Sequence, residues 1–236
     1  MALASEHPAA LRELRACFAD LPMELLPLHE ILGPNPKLVV EGATLEEKAK
    51  KRGDLACRAT ALVTLAEEVG LEVDALGGRP GVRSTCFAHE HATDAENNAA
   101  LLEALAEVDP PARTARYRCC LALFDPWAPP STPPPLVQGV CEGVIALGGR
   151  GVGQDYEPLF LVQGHGGLSF AELSDELRGQ LGHRAQAARA MLPFLREHLR
   201  SRLGEVVALR HRTPSLLLGP ELSDRASPLP KSPSSG

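Results

Sequence analysis

The sequence predicts an α/β protein in which helices flank a mixed β-sheet. Segments with the helical spacing of apolar residues alternate with short apolar runs typical of strands, and the alternation lacks the regular β-α-β rhythm of a purely parallel sheet. The chain has 236 residues, of which 44% are hydrophobic and 23% are charged. A chain of this length and composition can bury a sizeable core.

Helices are predicted where apolar residues recur at intervals of three and four, or where a capping pattern opens the segment. The run at 11–21 has this helical spacing. Thr-x-x-Glu patterns, typical of a capping box, open the segments 44–60 and 93–105. A long amphipathic helix is predicted at 183–203.

Strands are predicted from short runs rich in apolar residues. These runs lie at 23–28, 37–40, 63–66, 71–73, 117–124, 136–146 and 159–162. Residues 213–236 are rich in serine and proline, so we expect a disordered tail there. The predicted folded domain is therefore 1–212.

Charge and cysteine usage limit the classes of partner. The net charge of -6 argues against a nucleic-acid partner, and a polyanionic ligand would need a local basic pocket. None of the six cysteines forms a C-x-x-C pair, which indicates reduced thiols. With no basic-then-apolar leader and no apolar run approaching about 18 residues, we expect a cytoplasmic protein without a membrane partner.

Four stretches carry a resemblance to a known family. They are LASEHPAALREL at 3–14, LEVDALGGRPGVRS at 71–84, ATDAENNAALLEAL at 92–105 and AELSDELRGQLGHR at 171–184. Together they resemble the signatures of the inosine triphosphate pyrophosphatase family. The resemblance implies an elongated mixed sheet with two lobes and a central cleft. It also implies a homodimer that uses Mg²⁺ to hydrolyse inosine, xanthosine and related deoxy triphosphates to the monophosphate and pyrophosphate.

The resemblance places two carboxylates at the metal. Glu47 and Glu68 would bind Mg²⁺, and Glu68 would also act catalytically by orienting the attacking water. Where the family has aspartates after the strand, this chain has Glu67 and Glu68, and a misplacement of about 1 Å can cost ~100-fold in rate. The structural alternatives are a capping carboxylate at Glu47 and a solvated acidic turn at Glu67 and Glu68.

The remaining positions implied by the resemblance would contact the nucleotide. These substrate-binding candidates are Ser5, His7, Arg52, Val69, Tyr156, Glu157, Arg178, His183 and Arg184. Arginines neutralise phosphate charge, and a histidine beside an arginine at a helix start is suited to reading a purine keto oxygen.

Several of these positions depart from the family pattern. His7 and Ala10 stand for asparagine and lysine, Val69 for serine, Gln154 for a stacking phenylalanine and Gly167 for lysine. The adjacent Asp155 replaces a glycine. The chain is therefore expected to hydrolyse its substrate weakly. The alternative function is that of a catalytically inactive paralogue that binds a nucleotide or a protein.

Overall fold

The computed structural model describes residues 1–34, 36 and 38–212, so the predicted tail at 213–236 lies outside it. Residues 1–193 form one compact unit, and a second begins at Phe194. Within the described part of the second unit, Arg200 and Glu197 form an ion pair on one helix face. The site and its sheet lie in the first unit.

A mixed sheet is the framework of the first unit. Its strands are β1 (Ala2–Ala4), β2 (Leu26–Pro27), β3 (Thr64–Val73), β4 (Arg79–Pro80), β5 (Thr114–Phe124), β6 (Leu136–Ile145) and β7 (Phe160–Val162). They lie in the order β2-β1-β3-β5-β6-β7, and β4 pairs with β3. The pairs of β1 with β2 and with β3 are parallel, and the other pairs are antiparallel. The predicted mixed sheet is confirmed.

Helices flank this sheet, as predicted. They are α1 (Ala10–Cys17), α2 (Leu28–Leu32), α3 (Leu45–Thr60), α4 (Asp94–Ala104), α5 (Asp175–Leu181) and α6 (His183–Arg212). Both predicted caps are present, since Thr44 accepts a hydrogen bond from the backbone of Glu47 and Thr93 forms a complete capping box with Glu96. In the described part of the chain, no helix is long and apolar enough to cross a bilayer.

The sequence prediction was wrong about the centre of the sheet. The segments 63–66 and 71–73 belong to the single strand β3, and Glu67 and Glu68 pair there with Leu121 and Cys120 of β5 rather than forming a solvated turn. Both glutamates are buried. Two adjacent charged residues are typical of a turn. The burial of these glutamates depends on arginines that are distant in the sequence, so no local pattern indicates it.

Two smaller predictions also differ from the structure. The strand expected at 23–28 is confined to Leu26–Pro27. Residues 38–40 form no strand, and position 37 lies outside the described residues. Leu26–Pro27 pair with β1 at the edge of the sheet, where an apolar run can satisfy the strand pattern and still find only a short partner.

Small residues bring the helices close to the sheet. Ala49 and Ala56 of α3 pack against the alanines of β1, β3 and β5 in one core cluster. On β6, a Cβ built on Gly139 would lie 2.1 Å from the carbonyl oxygen of His183 and 2.2 Å from the backbone nitrogen of Ala187. The first turn of α6 therefore rests directly on the backbone of β6.

We predict that Gly139→Ala destabilises the protein by about 1–3 kcal/mol, because the methyl group meets helix backbone that cannot rotate away. Urea denaturation measures the change in the free energy of unfolding. Gly148→Ala is the matched control, since nothing lies within 4 Å of a Cβ at that position. Equal stability of the two variants would contradict the close contact.

Candidate functional site

The candidate site is organised by two adjacent carboxylates on β3. Because successive side chains of a strand point to opposite faces of the sheet, Glu67 and Glu68 face different helices. Glu67 contacts Arg184 of α6, and Glu68 contacts Arg52 of α3. The central strand thus connects two basic groups that lie far apart in the sequence.

Glu67 is buried and is held by several polar contacts. Nε of Arg184 donates to its Oε1 at 2.6 Å, and the hydroxyl of Ser5 donates to its Oε2. A second contact joins Arg184 to Glu13 at 3.4 Å. Burial opposes ionisation, but the charges of Arg184 and His7 and the hydrogen bonds from Ser5 and Arg184 lower the pKa of Glu67 below its ordinary value.

Glu68 is held by two cations of α3. Nε of Arg52 lies 2.6 Å from its Oε1, and Nζ of Lys48 lies 3.1 Å from its Oε2. Arg52 also contacts Glu6 at 2.9 Å and the carbonyl oxygen of Leu38 at 3.2 Å. Lys48 precedes Arg52 by four residues, so both side chains lie on one face of the helix.

Glu47 lies apart from this arrangement. Its Oε2 accepts a hydrogen bond from the backbone of Ala43 at 2.9 Å, and its Oε1 pairs with Lys51 at 2.7 Å. These contacts lower the pKa of Glu47. The structure does not bring Glu47 to Glu68, so the role of Glu47 as a metal ligand stays a prediction.

Two of the predicted base-reading residues are buried at the start of α6. His183 stacks on Tyr117 with the ring centroids 4.8 Å apart. Neither ring nitrogen of His183 has a hydrogen-bond partner among the described residues, and the same is true of Nη2 of Arg184. Burial, together with the nearby charges of Arg184, His7 and Arg178, lowers the pKa of His183 well below its ordinary value. The imidazole is therefore neutral at physiological pH.

Arg178, Glu157 and Tyr156 form a second group. Arg178 makes a bidentate pair with Glu157 at 2.9 and 3.1 Å, and its guanidinium lies 4.7 Å from the centre of the Phe170 ring. Tyr156 is buried and donates to the carbonyl oxygen of Ser84 at 2.7 Å. This group fixes the segment that precedes β7.

Cavities open beside these groups. One of about 680 Å³ is lined by Ser5, His7 and Arg52 together with apolar side chains. A second of about 400 Å³ is lined by Gln154, Arg178 and neighbouring residues. A narrow pocket beside Glu68 contains Val69, which is buried in β3. These three cavities are bordered by seven of the predicted residues, namely Ser5, His7, Arg52, Glu68, Val69, Glu157 and Arg178, but not by Glu47, Tyr156, His183 or Arg184.

The carboxylates do not fit a metal cage built by the protein alone. Among the described residues, no group of three or more His, Cys, Asp or Glu side chains is placed to hold a metal ion. Both oxygens of Glu68 are already engaged by cations. A metal at this position would need oxygen ligands from another molecule.

Sequence reasoning missed three contributors to the site. Lys48 was not among the predicted site residues, although its spacing of four from Arg52 is a usable helical signal. Asp155 contacts His7, with Oδ2 and Nδ1 3.1 Å apart, and no local pattern indicates that pair. Tyr117, on β5 of the sheet, stacks on His183 and likewise has no sequence signal.

This chain is similar to known proteins in both sequence and fold. A dITP/XTP pyrophosphatase of Geobacter sulfurreducens is 38% identical over 201 residues, which cover 84% of this chain and 96% of the relative. One from Xanthomonas campestris is 40% identical over 189 residues, covering 79% and 92%. These relatives confirm the resemblance drawn from the sequence motifs.

Solved structures agree. A HAM1 protein from Coxiella burnetii superposes with a TM-score of 0.72 at 34% identity, and covers 83% of this chain and 98% of its own. The Ham1 protein of Staphylococcus aureus gives a TM-score of 0.71 at 29% identity, with 84% and 98% covered. The Ham1 family model matches residues 1–194. With more than half of its length matched, the chain belongs to the Ham1 family.

Proposed function

We propose that this protein hydrolyses non-standard purine nucleoside triphosphates, such as ITP, dITP and XTP, to the monophosphate and pyrophosphate. Its relatives named dITP/XTP pyrophosphatase support the reaction and the substrate class. The structural observation that carries the proposal is Glu68 held between Lys48 and Arg52 beside open cavities. This arrangement supplies cations for phosphates in an otherwise acidic chain.

In the proposed reaction, a water oxygen attacks phosphorus and the anhydride bond to pyrophosphate breaks. Glu68 orients the water and accepts its proton. When the triphosphate binds, Lys48 and Arg52 leave Glu68 and contact phosphate oxygens instead. The carboxylate of Glu68 is then free, and the two cations neutralise the charge that develops on the leaving group. Ser5, His7 and Arg178 are further phosphate or ribose contacts in this proposal.

Magnesium enters this proposal as part of the substrate. Mg²⁺ binds triphosphates through phosphate oxygens, keeps several waters, and needs only one or two protein carboxylates. Glu68 is the proposed protein ligand, with Glu47 as the second one implied by the family resemblance. This assignment is consistent with the lack of a protein-only cage among the described residues.

Discrimination of the base follows from hydrogen-bonding chemistry. A 6-oxo purine presents an acceptor at O6 and a donor at N1, whereas adenine presents the opposite pattern. Neutral His183 offers one donor and one acceptor, and Arg184 offers a donor at its unpartnered Nη2. Both residues are buried, so in this proposal they become accessible to the base only when the nucleotide binds.

The family resemblance also suggests a cytoplasmic homodimer, and light scattering coupled to size-exclusion chromatography tests the dimer. Turnover is expected to be slow, because two lysines of the family pattern are absent and one lost electrostatic contact commonly costs ~100-fold. Lys48 offsets part of that loss.

We predict magnesium-dependent release of pyrophosphate from ITP, dITP or XTP, with ATP a poor substrate. Glu68→Gln should lower kcat at least about 100-fold, because the variant cannot accept a proton from water. Glu103→Gln, on the exposed face of α4, is the matched control. No turnover of any triphosphate would favour the inactive, nucleotide-binding alternative.

A parallel Glu47→Gln variant separates two roles for that residue. A large loss of activity that excess Mg²⁺ partly restores supports a metal ligand. Unchanged activity with a small loss of stability indicates that Glu47 only caps α3.

We predict that Gln154→Phe strengthens nucleotide binding. Gln154 is exposed at the edge of the cavity that Arg178 lines, and stacking of an aromatic ring on a base is worth about 1–3 kcal/mol. KM for ITP should fall about fivefold or more. Gln163→Phe makes the same exchange at another exposed position, which does not line that cavity, and controls for added surface hydrophobicity. An equal effect of both variants would argue against stacking at position 154.

A further inference from the structure

The contact between His7 and Asp155 joins two loops that border the site. His7 follows β1, and Asp155 precedes β7. Nδ1 of His7 lies 3.1 Å from Oδ2 of Asp155, and only 12% of the His7 side chain and 25% of the Asp155 side chain are exposed. A contact this well shielded is screened less by solvent than a contact on the surface.

The backbone of Asp155 is fixed so that its carboxylate points at His7. Asp155 has a φ of 49°, in the left-handed region that non-glycine residues seldom occupy. Its N–H donates to Oδ2 of Asp94 at 2.9 Å, and its carbonyl oxygen accepts from Nδ2 of Asn98 at 2.7 Å. The first turn of α4 therefore holds the unusual conformation, which fixed surroundings must stabilise.

His7 is held from its other side as well. Its backbone N–H donates to the hydroxyl of Ser5 at 3.0 Å, and Ser5 in turn donates to Glu67. Within the described part of the chain, Asp155 occupies Nδ1 and no hydrogen bond or ion pair engages Nε2. The ring borders the cavity of about 680 Å³ that Arg52 also lines. Nε2 is thus the nitrogen left for a ligand.

The charges of this pair suit a phosphate ligand. Burial opposes ionisation of Asp155, but the hydrogen bond and charge of His7 and the charge of Arg184 lower its pKa below the ordinary value. An ionised carboxylate without His7 would repel a triphosphate. With His7 between them, the carboxylate and a phosphate both accept hydrogen bonds, so the bridging imidazole donates from both nitrogens.

We propose that Asp155 is a positioning residue that holds His7 by Nδ1 so that Nε2–H binds a phosphate oxygen of the triphosphate. The proposal rests on the proposed function. It makes the two residues one unit, because His7 without Asp155 loses its orientation, and Asp155 without His7 places an unpaired negative charge beside the phosphates.

The test compares His7→Asn, Asp155→Gly and the double variant, with kcat and KM measured for ITP. Glycine adopts a φ of 49° without strain, so Asp155→Gly should fold. Each single change should lower kcat/KM about tenfold or more, chiefly through KM. The double variant should lose no more than the worse single change, because the two residues act together. Losses that multiply would overturn the proposal.

Ala61→Gly controls for the release of backbone strain, since Ala61 has a φ of 52° at the end of α3, outside the site. This variant should retain the kcat/KM of the parent protein. A tenfold loss in Ala61→Gly would show that relief of strain alone explains the effect of Asp155→Gly.

A spectroscopic measurement separates this proposal from the proposed function. Nitrogen-15 NMR of the imidazole rings, with His7 assigned by its loss in His7→Asn, should show Nδ1 protonated in the parent protein. In Asp155→Gly, which lacks the carboxylate acceptor, the ring should lose the proton on Nδ1 and keep Nε2–H. An unchanged His7 ring would refute the positioning role, whatever the activity.

If the parent protein hydrolyses no triphosphate, the proposed function fails and the NMR result still decides the pairing. Binding of a non-hydrolysable imidotriphosphate then decides the phosphate contact. Equal affinity in the parent and Asp155→Gly would overturn it, and affinity about tenfold weaker in the variant would support it.

Discussion

The buried ion pair between Glu67 and Arg184 is the contact on which the rest of the site depends. It ties the central strand to the start of α6, and Ser5 and Glu13 make further contacts with the pair. Breaking one side of such a pair leaves a buried charge uncompensated, at a cost of about 3–5 kcal/mol. The pair therefore fixes the position of His183, the preceding residue of the helix, relative to the sheet.

Local signals determined which parts of the fold could be predicted. The caps of α3 and α4 depend on residues three positions apart, so the sequence pattern identifies both helices. The long antiparallel strands β5 and β6 likewise carry their own apolar patterns. The continuity of β3 could not be predicted, because burial of its glutamates depends on arginines from α3 and α6.

The same distinction applies to the site. Resemblance to the family motifs located Glu68, Arg52 and Arg184, which the structure brings to the same strand. It could not locate pairs formed by residues that differ from the family pattern. His7 and Asp155 are an example. In the sequence each residue only differs from the family pattern, and their contact is visible only in the structure.

The helix α3 carries both cations of Glu68 one turn apart on a single rigid rod. A rigid helix cannot move one of these groups without moving the other. Rotation of one long side chain would release one oxygen of Glu68 alone, whereas a shift of the helix would draw both cations from the carboxylate together. The spacing of the two cations therefore couples the release of both carboxylate oxygens to any movement of α3.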